Sequence, residues 1–273
     1  MTVPPSARAR AVRARAVWAP ARRTVRSLLS VNELRLAVAL LVGLTYVTAY
    51  VFVQGPMVSV DRLLHRWDGE KSLPALRVVA WPYDHVGQRA VTVPVLLLVA
   101  GLLGRRHRTW RPVALAVAAI IGLNVVVGGM KLIVGRAQTE TGDPSVLTGG
   151  IIYPSGHASN MVLTCAVLLF LLRRYAPHRY SDRLVALAAT LTALTCVDSL
   201  YIGSHWVSDL VAGLMVGGLL ALGVLVADRA TDPHRVEARS PATSLPGLAP
   251  SPVLERLLYY LEPMHPERRE DPP

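Results

Sequence analysis

Charge is scarce in this chain: 17% of its 273 residues are Asp, Glu, Lys or Arg, while 52% are hydrophobic. An ordinary soluble domain carries charge on about a quarter of its residues, so that class is excluded. Cysteine is scarcer still. Cys165 and Cys196 are the only two, and both fall inside apolar runs. A disulfide framework is therefore not expected, and the compartment is not fixed by cysteine usage. A cleavable leader is not expected either. The first apolar run starts far from Met1, is long, and lacks a small-residue cleavage site, so it reads as a retained signal-anchor helix. Acidic residues are outnumbered, 18 to 29, which gives a formal net charge of +11. Such an excess raises nucleic acid as a partner. The basic residues, however, cluster between apolar runs, and Arg8, Arg10, Arg13, Arg15, Arg22, Arg23 and Arg26 all precede the first one. Basic clusters beside spanning helices mark the cytoplasmic side and attract anionic lipid. Membrane lipids, not nucleic acid, are the expected partners.

What the chain does have is a series of apolar runs, each near the roughly 20 residues that cross a bilayer. The runs predict spans at about Leu34–Val53, Ala90–Leu103, Val113–Val134, Pro154–Leu172, Leu184–Ile202 and Trp206–Val226. The second is short and is expected to begin before Arg89, unless Arg89 snorkels to the interface. Leu63, Leu64, Trp67, Leu73, Leu76 and Val79 recur between the first two spans with gaps that fit an amphipathic interfacial segment. No second globular core is visible. The expected organisation is a basic tail over 1–30, a six-helix membrane domain over 31–229 and a Pro/Ser/Ala-rich tail over 230–273. A short apolar patch, Val253–Leu261, lies in the last of these.

The expected fold class is an all-α bundle of six transmembrane helices. Six spans put both tails on one side. The loops with Arg105, Arg106, Arg108 and Arg111, and with Arg173, Arg174, Arg179 and Arg183, share that side. The orientation rule makes it cytoplasmic. The ends carrying Lys131, Pro154 and His205 then face the opposite, extracytoplasmic side. The expected location is the cell membrane, multi-pass, and the Arg/Ala/Val-rich composition fits a GC-rich bacterium.

Three polar constellations sit at that outer end. His205 and Asp209 are four residues apart, so on a helix they share one face. A carboxylate so placed holds one ring nitrogen and presents the other as a base or nucleophile. The bland alternative is an interfacial histidine beside a helix-start aspartate. Tyr153-Pro154-Ser155-Gly156-His157 opens the fourth span. Proline suits a first helical turn, and Ser155, Gly156 and the free N–H groups there make an anion site. His157 is placed to protonate a leaving oxygen; a plain capped helix start is the alternative. Lys131 adds a cation near the end of the third span, with Arg136 just beyond; snorkelling is the alternative for both. Gly213 and Gly217 have the small-xxx-small spacing of close helix contacts. Packing within the bundle is the expected use, with a homodimer face as the alternative.

Taken together, these residues resemble the type 2 phosphatidic acid phosphatase superfamily, the integral-membrane lipid phosphate phosphatases. That family carries a Lys followed after six residues by Arg-Pro, a Pro-Ser-Gly-His, and a Ser-Arg followed by His and then Asp four residues on. Here stand Lys131, an intact Pro154-Ser155-Gly156-His157, and His205 with Asp209, within about residues 85–227. The resemblance implies hydrolysis of a lipid phosphate, such as a polyprenyl or phospholipid-type ester, with no metal ion or other cofactor. His205 would form a phosphohistidine, Asp209 would orient its ring, and His157 would act as acid and then base. Lys131, Arg136, Ser155 and Gly156 would hold the phosphate oxygens. Two departures stand out. The family's Arg-Pro falls on Gln138-Thr139, and its Ser-Arg falls on Asp198-Ser199. Loss of two arginine clamps removes charge stabilisation from the transition state. Three readings follow: Arg136, Arg89 or Arg77 substitutes; the substrate differs, as a phosphodiester, a diphosphate or a headgroup sugar whose hydroxyls bond Gln138 and Asp198, with phosphotransfer as a further form of this reading; or the protein binds lipid phosphate without hydrolysing it. Asp198 near a membrane helix end is expected to find a partner, Lys131 or an external arginine.

Overall fold

The computed structural model describes residues 28–65, 69–176 and 181–232. The arginines of the N-terminal tail and the Val253–Leu261 patch lie outside the described residues. Among those described the fold is all helical. The long helices are α1 (Val31–Phe52), α5 (Arg89–Arg106), α6 (Arg111–Val134), α7 (Gly156–Tyr175), α8 (Ser181–Tyr201) and α9 (Val207–Ala230). Between α1 and α5 come α2 (Pro56–His65), the single turn α3 (Gly69–Ser72), a 3-10 turn and α4 (Arg77–Gly87).

Five helices are individually long and apolar enough to cross a membrane. The candidate for the sixth is a bent pair: Pro74–Gly87 and Arg89–Arg106 meet at 52°, as a broken span or a re-entrant loop. That break is the physical reason the second apolar run is short in the sequence. Arg89 opens α5, and its guanidinium donates to the Asn124 side chain on α6. The stretch expected to be amphipathic and interfacial is built of short helices.

The helix ends follow local chemistry. Ser30 and Glu33 form a reciprocal capping box at the start of α1. Pro112 lies in the first turn of α6, which Gly135 closes in the left-handed conformation at φ 55°. Ser155 caps α7, its hydroxyl accepting from the Ala158 N–H at 3.3 Å. Gly203, at φ 74°, reverses the chain between α8 and α9.

α9 is central, packing on α7 and α1, while α7 also packs on α5 and α8. Gly213 and Gly217 make the α7 contact possible. A Cβ on either would lie 2.7 Å or 2.6 Å from the Ser155 or Ser159 carbonyl oxygen. Their spacing is thus used inside the bundle. The buried core joins Leu96, Leu123, Val127, Leu163, Val167 and Val216. Many large apolar side chains point outward instead, among them Val125 and Leu132. An apolar exterior of this extent matches a lipid-facing surface. At one end of the bundle, Asp228 of α9 accepts from Arg111 at 2.7 Å and from Arg174 at 2.9 Å. Arg229 binds both carboxylate oxygens of Glu33, so the start of α1 meets the end of α9 there.

Candidate active site

The opposite end gathers the last turn of α6, the starts of α7 and α9, and the junction of α4 with α5. Its foundation is a buried ionic network. Arg136 follows Gly135 and is fully buried. Its guanidinium donates to Asp61 at 2.6 Å, to the Ser208 hydroxyl at 2.6 Å and to Asp209. The Tyr153 and Trp206 rings flank it, with centroids 5.9 Å and 5.7 Å away. Asp61 also accepts from the Ser208 N–H at 2.9 Å and the Ser208 hydroxyl at 2.6 Å. Burial pushes the Tyr153 hydroxyl up to about 12, so it stays protonated and shares a 2.7 Å bond with Thr48. Arg136, expected among the phosphate contacts, therefore stands behind the site with its donors committed to Asp61, Asp209, the Ser208 hydroxyl and the Pro144 carbonyl. The presence of Asp61 makes the difference, since a buried guanidinium needs paired acids and a buried acid needs a cation.

Asp209 is the outer member of this network. As the third residue of α9 it reaches back to accept from the Trp206 N–H at 3.1 Å. That leaves His205 Nδ1 3.6 Å from Asp209 Oδ2. The two residues meet as the spacing predicts, with the carboxylate fixed from behind by Arg136. His157 lies in the first turn of α7, and its ring centroid is 6.1 Å from that of His205. Two imidazoles 48 residues apart thus face one another at the same end of the bundle. A cavity of about 390 Å³ opens beside His205, lined in part by His65, Thr139, Glu140 and Ser204.

The remaining expected residues are placed as follows. The Lys131 ammonium donates to the Ile151 carbonyl, which holds it at the mouth of the α6–α7 loop. Ser155 is fully buried as the α7 cap. Gly156 borders open space, for a Cβ there would meet no heavy atom within 4 Å. Gln138 is exposed at the head of the Thr139–Thr141 turn. Asp198 is buried, and among the described residues it pairs with no cation, neither Lys131 nor an arginine. The expected Asp198–Lys131 pair does not form, because Lys131 is turned to the Ile151 carbonyl. Ser199, at the position of the resembled family's arginine, has a buried hydroxyl without a hydrogen bond among the described residues.

Three polar residues escaped the sequence reading. Asp61 anchors Arg136. Asp84, on α4, lies 3.4 Å from His157 Nε2. Asn160 donates to the Gly87 carbonyl at 2.9 Å and to the Thr92 hydroxyl at 2.5 Å, tying the α4–α5 bend to α7. The available signal was an acidic residue inside a membrane-associated segment, which usually has a partner or a role.

Comparison with known proteins bears on the fold and the family. Residues 112–231 match the PAP2 superfamily. Phosphatidylglycerophosphatase B of Bacillus subtilis (strain 168) is 22% identical over 150 residues, covering 54% of this chain and 72% of that protein. The crystal structure of a transmembrane PAP2-type phosphatidylglycerolphosphate phosphatase from Bacillus subtilis superposes with a TM-score of 0.64 at 20% identity. The alignment covers 73% of this chain and 98% of that one, which establishes the shared fold. The similarity to the PAP2 superfamily thus lies in residues 112–231, which lack the arginines that the resembled family carries in its first and third motifs.

Proposed function

We propose that the protein hydrolyses a lipid phosphate ester, of polyprenyl or phospholipid type, through a phosphohistidine on His205. The observation that carries this reading is the facing pair of imidazoles, 6.1 Å apart, each beside a carboxylate. In the first half-reaction the His205 Nε2 lone pair attacks phosphorus as the phosphorus–lipid oxygen bond breaks. The departing oxygen takes its proton from His157. Asp209 holds the His205 ring and balances the charge that develops on it. In the second half-reaction His157 takes a proton from water, whose oxygen attacks phosphorus. The phosphorus–nitrogen bond breaks and its electron pair returns to His205. Lys131 and the N–H groups at the start of α7 beside Gly156 bind the non-bridging oxygens. A phosphatidylglycerophosphate-type ester is among the candidate substrates, a reading supported by the names of the Bacillus subtilis proteins that the chain is similar to. The basic loops support an outward-facing site, by the orientation rule. No step of this chemistry calls for a metal ion.

A second reading has its own observation. Gln138 and Asp198-Ser199 replace both arginine clamps, and Asp198 has no cation to neutralise it among the described residues. A lipid-phosphate binding protein, or a phosphotransferase with an altered substrate, fits a site so depleted of positive charge. Phosphate release by the purified protein from a panel of lipid phosphates, with chelator present, separates the readings. The hydrolase requires release that survives chelation and is lost in His205→Ala. Binding without release across the panel supports the carrier, and transfer to an added alcohol without release supports the transferase.

A further inference from the structure

The two histidines of the site are held in opposite senses. His205 turns Nδ1 to Asp209 at 3.6 Å, and His157 turns Nε2 to Asp84 at 3.4 Å. Both of these nitrogens are buried and make no hydrogen bond among the described residues. Each ring therefore commits one nitrogen to a carboxylate and leaves the other open, Nε2 on His205 and Nδ1 on His157.

Asp84 is not a loose surface acid. Gln88, one turn along, donates to Asp84 Oδ2 at 2.8 Å and aims Oδ1 at the ring. The backbone beside it is pressed onto the same imidazole. A Cβ at Gly87 would lie 3.1 Å from His157 Cδ2, so only glycine lets α4 approach this closely without displacing the ring. Asn160, three residues after His157, donates to the Gly87 carbonyl at 2.9 Å. The helix that carries the imidazole is thereby fixed to the helix that carries the carboxylate. Asp84 lies outside the part of the chain matched to the superfamily, residues 112–231.

We propose that Asp84 is a positioning residue for His157, pinning Nε2 so that Nδ1 delivers the proton to the departing lipid oxygen. The inference rests on the phosphohistidine reading above. In this arrangement the Nε2 proton stays directed at Asp84 throughout. Nδ1 gives up its proton as the phosphorus–oxygen bond breaks and takes one back from water in the second half-reaction. A carboxylate on the far nitrogen fixes both the rotation and the tautomer of the ring. The site then holds two carboxylate–imidazole pairs, one for the nucleophile and one for the acid.

The test uses the full-length protein in detergent micelles and two substrates that differ in their need for an acid. A lipid alkoxide leaves poorly without a proton, whereas the nitrophenolate of p-nitrophenyl phosphate leaves without one. The readout is kcat/KM, which reports the phosphoryl-transfer half-reaction. Asp84→Asn is expected to lower kcat/KM for the lipid phosphate about tenfold to a hundredfold. For p-nitrophenyl phosphate the expected loss is under about threefold, since no acid is needed there. Asp84→Glu is expected to recover part of the lipid activity. In the His157→Ala background, Asp84→Asn is expected to add no further loss, because two residues acting as a unit are not additive. Equal losses on both substrates, additivity with His157→Ala, or an unimpaired Asp84→Asn would each overturn the proposal. His205→Ala separates the levels. If the wild type is active and His205→Ala is not, an unimpaired Asp84→Asn removes this inference alone. If the wild type releases phosphate from neither ester, the hydrolase reading fails and takes this inference with it.

Discussion

Replacing Arg136 by methionine tests whether the site is built from behind. The side chain is fully buried, as are those of Asp61 and Asp209, its ion-pair partners. Two carboxylates and one guanidinium leave this cluster with one net negative charge. Methionine keeps much of the volume and removes the cation, so two buried carboxylates confront each other unpaired. Breaking a buried ion pair in this way costs about 3–5 kcal/mol. That is a large share of the roughly 5–15 kcal/mol that holds a domain together. At about 2–4 °C per kcal/mol for a domain of this size, thermal unfolding in micelles should drop by roughly 6–20 °C. Asp209 also loses the donor that fixes it, so the His205 ring drifts and kcat/KM should fall about a hundredfold, the cost of an ångström-scale misplacement. The companion variant Asp61→Asn with Arg136→Met removes one of the stranded charges. It should regain at least half of the lost thermal stability while activity stays low. An Arg136→Met protein that unfolds within about 2 °C of the wild type would refute the structural role. A loss confined to KM, with kcat and stability intact, would return Arg136 to the phosphate.

Two further outcomes are expected. Asp198→Asn removes a buried carboxylate that pairs with no cation among the described residues and precedes the position of the resembled family's arginine. KM for a phosphate monoester should fall about threefold to tenfold, equivalent to roughly 1 kcal/mol of relieved repulsion; a rise in KM would show that Asp198 itself binds the substrate. Gly217→Ala places a Cβ about 2.6 Å from the Ser159 carbonyl oxygen, so α7 and α9 must separate. Stability should fall by about 1–3 kcal/mol with no change in oligomer mass. Dissociation of a dimer with unchanged unfolding temperature would place this glycine face between subunits instead.

The parts of the site legible in the sequence are those whose partners are local. His205 and Asp209 are one helical turn apart, and Ser155, Gly156 and His157 share one helix start, so spacing alone joins them. The parity of the spans between them put His157 and His205 at the same end of the bundle, and the close approach of the two rings came from the packing of α7 on α9. The parts that were not legible are pairings at long range. Asp61 meets Ser208 across 147 positions and Arg136 across 75. An arginine just past a helix end reads the same whether it faces solvent or a buried acid. Only the placement of Asp61 turns Arg136 inward. Asp84 was hidden for a related reason. The segment that holds it looked interfacial, because the bend after Gly87 breaks the apolar run before it reaches bilayer length.

The charges of the membrane domain divide by the completeness of their bonding. At the end away from the histidines, Asp228 is satisfied by Arg111 and Arg174, and Glu33 takes Arg229 through both oxygens. These groups gain nothing from a ligand. They lock four helices together where the chain enters and leaves the bundle. At the histidine end the inner layer is equally complete, with Arg136 saturated by Asp61, Ser208 and Asp209. The outer layer is not. His157 Nε2, His205 Nδ1 and the Ser199 hydroxyl are buried without hydrogen bonds, and Asp198 has no cation, among the described residues. Unsatisfied polar groups inside a low-dielectric domain carry a cost that folding alone gives no reason to keep. Two of them are the imidazoles that face one another across 6.1 Å, each beside a carboxylate. The bonded layer fixes Asp209, the two carboxylates take His205 Nδ1 and His157 Nε2, and the other nitrogen of each ring is left for the reacting phosphate.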